Sequence, residues 1–153
     1  MAHTYTNLLF HFVFSTKGRQ RVLTPECRDA LFPYMAGILG NRKSKALIIN
    51  GVEDHIHVLC YLAPTISISD AVKSIKAGSS TWHNKQGGRP IHWQEGYAAF
   101  TVSHSKRDAV YRYIQNQQEH HRTVSFAEEY EMFLRNHNIS FDRRFYLDQE
   151  LLG

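Results

Sequence analysis

The 153-residue chain is short of cysteine, of long apolar runs and of acidic side chains, and each shortage excludes something. Its two cysteines, Cys27 and Cys60, form no metal-binding spacing, which leaves reduced thiols in a cytoplasmic protein as the simple reading. No apolar run approaches the roughly 20 residues needed to cross a bilayer, so no membrane role is expected. The opening "MAHTYTNLLFHFVFSTKGR" has no positive residue ahead of its apolar run and no small-residue cleavage site, and so does not read as a signal peptide. There is no internal repeat, low-complexity tract or long linker. Residues 1–153 read as a single domain, long enough for one real core and not comfortably for two. The 14 acidic residues are outnumbered by 18 basic ones, giving a net charge of +4 and a pI near 9.1, a weak tilt toward a polyanionic partner.

What is present is a regular alternation of strand-like and helix-like segments. "YTNLLFHFVFST" (Tyr5 to Thr16) predicts a strand with Phe10, Phe12 and Phe14 on one face and Leu9, His11 and Val13 on the other. "TPECRDALFPYMAGILGNRK" predicts a helix with Thr24 as N-cap and Pro25 at the first position, with a kink or an early turn at Pro33. "KALIING" and "HIHVLCYL" predict two more strands joined by a tight connection over Asn50 to Asp54. A second helix starts near Ser67 or Ser69, and Gly87, Gly88 and Pro90 end it. Strand-like pieces flank Gly96, and a third helix, with Ser105 as N-cap, covers "SKRDAVYRYIQNQQEHH". A fourth is capped by Ser125, with Glu128 at the capping-box spacing. The order β-α-β-β-α-β followed by extra helices is that of an α+β, ferredoxin-like split βαβ antiparallel sheet.

The stretch "GVEDHIHVLCYL" carries the chemistry. Residues i and i+2 of a strand share a face, so His55 and His57 project side by side while Ile56, Val58 and Cys60 face the core. Two imidazoles so placed can converge on one ion. In a chain with ten histidines they can also be plain polar residues on an exposed face. On the third helix Tyr113 and Gln117 are four residues apart and share a face, whereas Tyr111 points roughly 200° away. A tyrosine beside an amide can be simple packing with a satisfied hydroxyl.

The His-Ile-His strand followed by a helical Tyr-Ile-x-x-Gln resembles the single-tyrosine HUH transposases of IS200-type insertion sequences. "HFVFSTKGRQRVL", "ISDAVKSIKAGSS" and "YRYIQNQQEHH" extend the resemblance in the same order, from Tyr5 to about Tyr146. The resemblance implies a ferredoxin-like fold, a homodimer, and cleavage and rejoining of single-stranded DNA at hairpin-containing element ends. It implies His55, His57 and Gln117 as metal ligands and Tyr113 as the nucleophile that forms a 5′-phosphotyrosine. It further implies composite sites, the histidines of one subunit working with the tyrosine helix of the other, although the sequence itself does not decide between cis and trans. Two imidazoles and an amide oxygen make a mixed donor set, for which Mg2+ is expected in the cell and Mn2+ is expected to support activity.

Around this site Asp54 is a candidate to orient a histidine, and His121 falls on nearly the Tyr113 face, where it can help bind phosphate. His11 reads as a hydrogen-bonded structural histidine. Lys17, Arg19, Arg21, Lys73 and Lys76 are candidates to follow a DNA backbone, with Trp82, Trp93 or Tyr97 as surfaces for unpaired bases. Rival readings are a non-enzymatic nucleic-acid-binding module on the same sheet, a hydrolytic metal nuclease, and a domesticated relative acting on chromosomal repeat hairpins.

Overall fold

The computed structural model describes residues 3–143, so the last residues of the stretch that carries the resemblance, up to Tyr146, lie outside the description. Four strands, β1 (Leu9–Ser15), β2 (Lys45–Gly51), β3 (His55–Tyr61) and β4 (Ala98–Thr101), form one antiparallel sheet in the order β2-β3-β1-β4. That order is the ferredoxin-like one. Among the described residues five α-helices accompany it: α1 (Pro25–Asn41), α2 (Ile68–Asn84), α3 (Arg107–Gln115), α4 (Gln117–His120) and α5 (Phe126–Asn136). Among the described residues no helix is long and apolar enough to cross a membrane.

Both faces of the sheet are covered, which is why β3 is buried along almost its whole length. Phe12, Phe14, Ile56, Val58 and Cys60 form the larger core with Leu31, Met35 and Leu39 of α1 and Ala71, Val72 and Ile75 of α2. The odd-numbered positions face the other way. Val13 packs with Phe126, Tyr130 and Leu134 of α5, and Leu9 and Leu59 pack with Ile114 of α3. His55 and His57 belong to this second face.

The helix starts follow their side chains. Thr24 accepts from the Cys27 amide, Ser67 from the Asp70 amide and Ser125 from the Glu128 amide, each satisfying one orphan donor of the first turn. Three local expectations are corrected. There is no early turn at Pro33, since α1 runs through it from Pro25 to Asn41. Ser105 caps nothing: its hydroxyl meets Ser103, and a 3₁₀ turn over His104–Lys106 leads into α3. The segment before Gly96 is not a strand, since only Trp93 bridges, to Thr16.

The third predicted helix is also broken, at Asn116, into α3 and α4. The cause is Asn50 of β2, whose amide donates to the carbonyls of Ile114 (2.9 Å) and Gln115 (3.2 Å). These carbonyls are drawn to the sheet at the point where the helix stops. The break leaves Gln117 fully buried, at the start of a new turn.

Candidate active site

β3 sits between β1 and β2, so its odd-numbered side chains are roofed by α3, α4 and α5. His55 and His57 are wholly buried there, and each has one ring nitrogen already committed. His55 Nδ1 meets the Asp54 carboxylate at 2.7 Å, and His57 Nδ1 meets His11 Nε2 at 2.8 Å. Their Nε2 atoms point to a common spot. Oε1 of Glu129, from α5, lies 3.2 Å from His55 Nε2 and 2.8 Å from His57 Nε2. His121 brings a third imidazole, with Nδ1 at 2.7 Å from the Val124 carbonyl and Nε2 at 3.0 Å from the same Glu129 oxygen.

The second carboxylate oxygen of Glu129 serves a different set. The Tyr113 hydroxyl donates to Oε2 in a short hydrogen bond, and His120 Nε2 lies 3.1 Å from that oxygen and 3.0 Å from the hydroxyl. Gln117 Nε2 also donates to Oε2, at 3.3 Å, while its carbonyl oxygen Oε1 is buried with no hydrogen-bond partner.

Charge is set by burial against this network. Burial alone would raise the Glu129 carboxyl, but the neighbouring imidazoles, His57 foremost, and hydrogen bonds from His121, His55 and His57 hold it far below the usual carboxylate range. Tyr113 moves the other way. Burial first, then the Glu129 charge and its hydrogen bond, raise the phenol far above its ordinary value. His55 is raised: burial lowers it, but Asp54 and Glu129 outweigh that. Burial pulls His11, His57 and His120 down.

His55, His57, Tyr113 and Gln117 therefore meet in one chain, with Asp54, His121 and His11 against them. Glu129 was missed. In "SFAEEYEMFLRN" it reads as an ordinary acid beside Glu128. The signal available was its position three residues after Phe126 and four before Phe133, inside the apolar stripe of the helix, where a carboxylate has no reason to sit unless something meets it.

The basic candidates divide. Arg19 and Arg21, with Arg122, line a cleft of about 540 Å³ whose wall also includes Asp54 and His121, so it opens beside the histidines. Lys17, Lys73 and Lys76 line a separate cavity of about 860 Å³ with Trp93 and Tyr97, and no histidine of the cluster reaches it. Lys76 donates to the carbonyls of Gln94 (2.8 Å) and Gly96 (2.6 Å) and lies over the Phe14 and Tyr97 rings, which is a structural role. Trp93 donates to Ser79, and Trp82 stacks on Tyr34.

The donor chemistry of the site suits a divalent ion. His55, His57, His121 and Glu129 each offer a ligand atom within 4.8 Å of the others, and the orphaned carbonyl oxygen of Gln117 is a further donor wanting a partner.

Known proteins share this fold and part of this sequence. The family pattern described as "Transposase IS200 like" matches residues 4–117. The chain is 27% identical over 118 residues to the ISDra2 transposase TnpA of Deinococcus radiodurans, covering 72% of this chain and 84% of that one. It is 28% identical over 126 residues to the transposase for insertion sequence element IS200 of Salmonella typhimurium, covering 78% and 82%. Among solved structures, a candidate transposase from D. radiodurans R1 superposes with a TM-score of 0.60 at 27% identity, over 76% of this chain and 96% of that one. A REP-associated tyrosine transposase bound to a REP hairpin shares the fold, with a TM-score of 0.59 at 17% identity, over 81% and 74%. With the matched segment running from the first strand to the buried Gln117, the chain belongs to the IS200-like transposase family.

Proposed function

We propose that this transposase cuts and rejoins single-stranded DNA through a covalent link to Tyr113. The observation that carries the reading is the half-buried Tyr113 hydroxyl held against Glu129 and His120, beside the paired imidazoles of His55 and His57. In the cutting step the Tyr113 oxygen bonds to phosphorus and the bond from phosphorus to the 3′ oxygen breaks. The strand downstream stays on the protein as a 5′-phosphotyrosine, and the other fragment leaves with a free 3′-hydroxyl. A phenol needs a proton acceptor to attack at neutral pH. His120 Nε2 is within reach of the Tyr113 proton, and Glu129 Oε2 holds the hydroxyl in place beside it. Rejoining is the same exchange reversed: a 3′-hydroxyl attacks the phosphotyrosine, and the phenol takes its proton back. No phosphodiester energy is lost, so no nucleotide cofactor is needed.

His55 and His57, with Gln117, are the residues that would hold a divalent ion. When bound, such an ion supplies the positive charge that offsets charge building on the phosphate oxygens. Asp54 and His11 fix the two imidazoles so that Nε2 faces inward. Arg19, Arg21 and Arg122 place cationic charge on the cleft beside the cluster, where a DNA backbone would approach. Hairpin-containing single-stranded ends are the substrate class, and a homodimer is the working assembly.

The test is a labelled single-stranded hairpin incubated with the protein and Mn2+, then run on a denaturing gel. The wild type is expected to give a covalent protein–DNA species. Tyr113→Phe is expected to lose it completely while binding the hairpin with its affinity nearly unchanged. Cleaved DNA without an adduct would identify a hydrolytic nuclease, and binding without cleavage would identify a non-enzymatic module. Either result rejects the proposal.

A further inference from the structure

The hydrogen bonds around the histidines leave a problem that a cation solves. The Asp54 carboxylate and the Val124 carbonyl can only accept, so His55 and His121 must each donate from Nδ1. Neutral imidazoles so fixed carry a bare lone pair on Nε2. Yet these two Nε2 atoms face each other at 3.0 Å, and both face an oxygen of Glu129. His57 presents a third Nε2 to that oxygen, and its Nδ1 is likewise taken up by His11. The facing nitrogens of His55 and His121 and the buried carboxylate oxygen are all acceptors with too few hydrogens among them, and His57 Nε2 converges on the same oxygen. Orienting each ligand imidazole through its other nitrogen is how proteins prepare metal sites.

We propose that His121 and Glu129 are metal ligands alongside His55 and His57, and that this donor set takes a first-row transition ion in preference to magnesium. Magnesium favours six oxygens and retains its waters, which three imidazoles in a largely buried pocket do not provide. Imidazole with one carboxylate suits manganese, cobalt or zinc. His121 and Glu129 both lie beyond residues 4–117, the segment that matches the family, so these two ligands are features of this chain's C-terminal part. The inference replaces the magnesium expectation drawn from two imidazoles and an amide. It rests on the metal half of the proposed function and not on the tyrosine step.

The test is binding of Mg2+, Mn2+ and Co2+ to the full chain, freed of metal with a chelator and without DNA, by calorimetry and, for Co2+, by its visible spectrum. Mn2+ is expected to bind one ion per chain more than about tenfold tighter than Mg2+. Co2+ is expected to give the absorption of a site containing several nitrogens. Glu129→Gln and His121→Ala are each expected to lower Mn2+ affinity by about 10–100-fold. Equal affinities for Mg2+ and Mn2+ in the wild type, measured without any variant, overturn the proposal. So does Mn2+ affinity unchanged in both folded variants, or raised in Glu129→Gln, which would make Glu129 a plug and not a ligand. A protein that binds Mn2+ as expected but forms no DNA adduct rejects the tyrosine reading and leaves this one standing. An adduct formed by a protein that binds Mg2+ as tightly as Mn2+ does the reverse.

Discussion

Gly51 ends β2 where the chain turns back into the histidine strand, and there is no room for a side chain on it. A Cβ there would collide with the His55 carbonyl oxygen and come within 2.9 Å of Ile56 Cα. Both obstacles are backbone, so neither can rotate away, and β2 would have to part from β3 beside the first imidazole. The Gly51 carbonyl also accepts from Gln118 at 3.0 Å, which ties the same spot to α4. Gly51→Ala is therefore expected to cost about 1–3 kcal/mol of stability in urea unfolding and to weaken Mn2+ binding. Gly37, in the middle of α1, is the contrast, since a Cβ there meets nothing within 4 Å. Gly37→Ala is expected to stabilise by about 0.5–1 kcal/mol and leave metal binding as it was. If both substitutions had the same small effect, the close approach at Gly51 would not be what sets the strand.

At the scale of elements, α5 delivers the carboxylate, and its start is held by Ser125. The Ser125 hydroxyl accepts from the Glu128 amide at 3.2 Å and donates to the Glu128 carboxylate at 3.0 Å. Ser125→Ala is expected to cost about 1 kcal/mol and to speed hydrogen exchange in the amides of α5 around Glu129. Unchanged exchange there would mean that the packing of Phe126, Tyr130 and Leu134 holds the helix without the cap. That cap was legible in the sequence because capping is local: donor and acceptor are three residues apart. The faces of β1 and β3 were legible for the same reason, since a period of two separates His55 and His57 from Ile56 and Val58 whatever the rest of the chain does. The break at Asn116 was not, because its cause is Asn50 on a distant strand. Glu129 was invisible as a site residue for a related reason. Its partners His55 and His57 come from β3, and only the packing of α5 over the sheet brings them together. His121 was placed on nearly the Tyr113 face from its spacing, but its contacts with His55 and Glu129 come from tertiary packing that spacing does not carry.

For the molecule as a whole, the question is whether one chain holds a complete site. The resemblance implies composite sites, with the tyrosine helix crossing to a partner. In this fold β4 ends at Thr101 and α3 begins at Arg107, and the link between them is short and pinned, with the Val102 amide donating to Leu9 of β1 at 3.0 Å. The far end of α3 is tied to β2 of its own chain through Asn50, and Gln118 adds bonds to Asn50 and Gly51. Tyr113 itself is held by Glu129, which also meets its own chain's His55 and His57. Exchanging the helix between subunits would require all of these bonds, and the apolar contact of Ile114 with Leu9 and Leu59, to be broken and then re-formed across the dimer. A site in cis is the expected state even within a dimer. Mixing His55→Ala protein with Tyr113→Phe protein under conditions that exchange subunits tests this. In a cis arrangement each chain of the mixed dimer lacks either a ligand or the nucleophile, so confirmed heterodimers are expected to form no covalent DNA species. In a trans arrangement one of the two sites in each heterodimer regains both histidines and the tyrosine, and about half of the wild-type adduct should return, as symmetry of a two-site dimer requires. Recovery of that size would show that the α3 helix leaves its own sheet in solution, and the bonds from Asn50, Gln118 and Glu129 would then have to form between subunits.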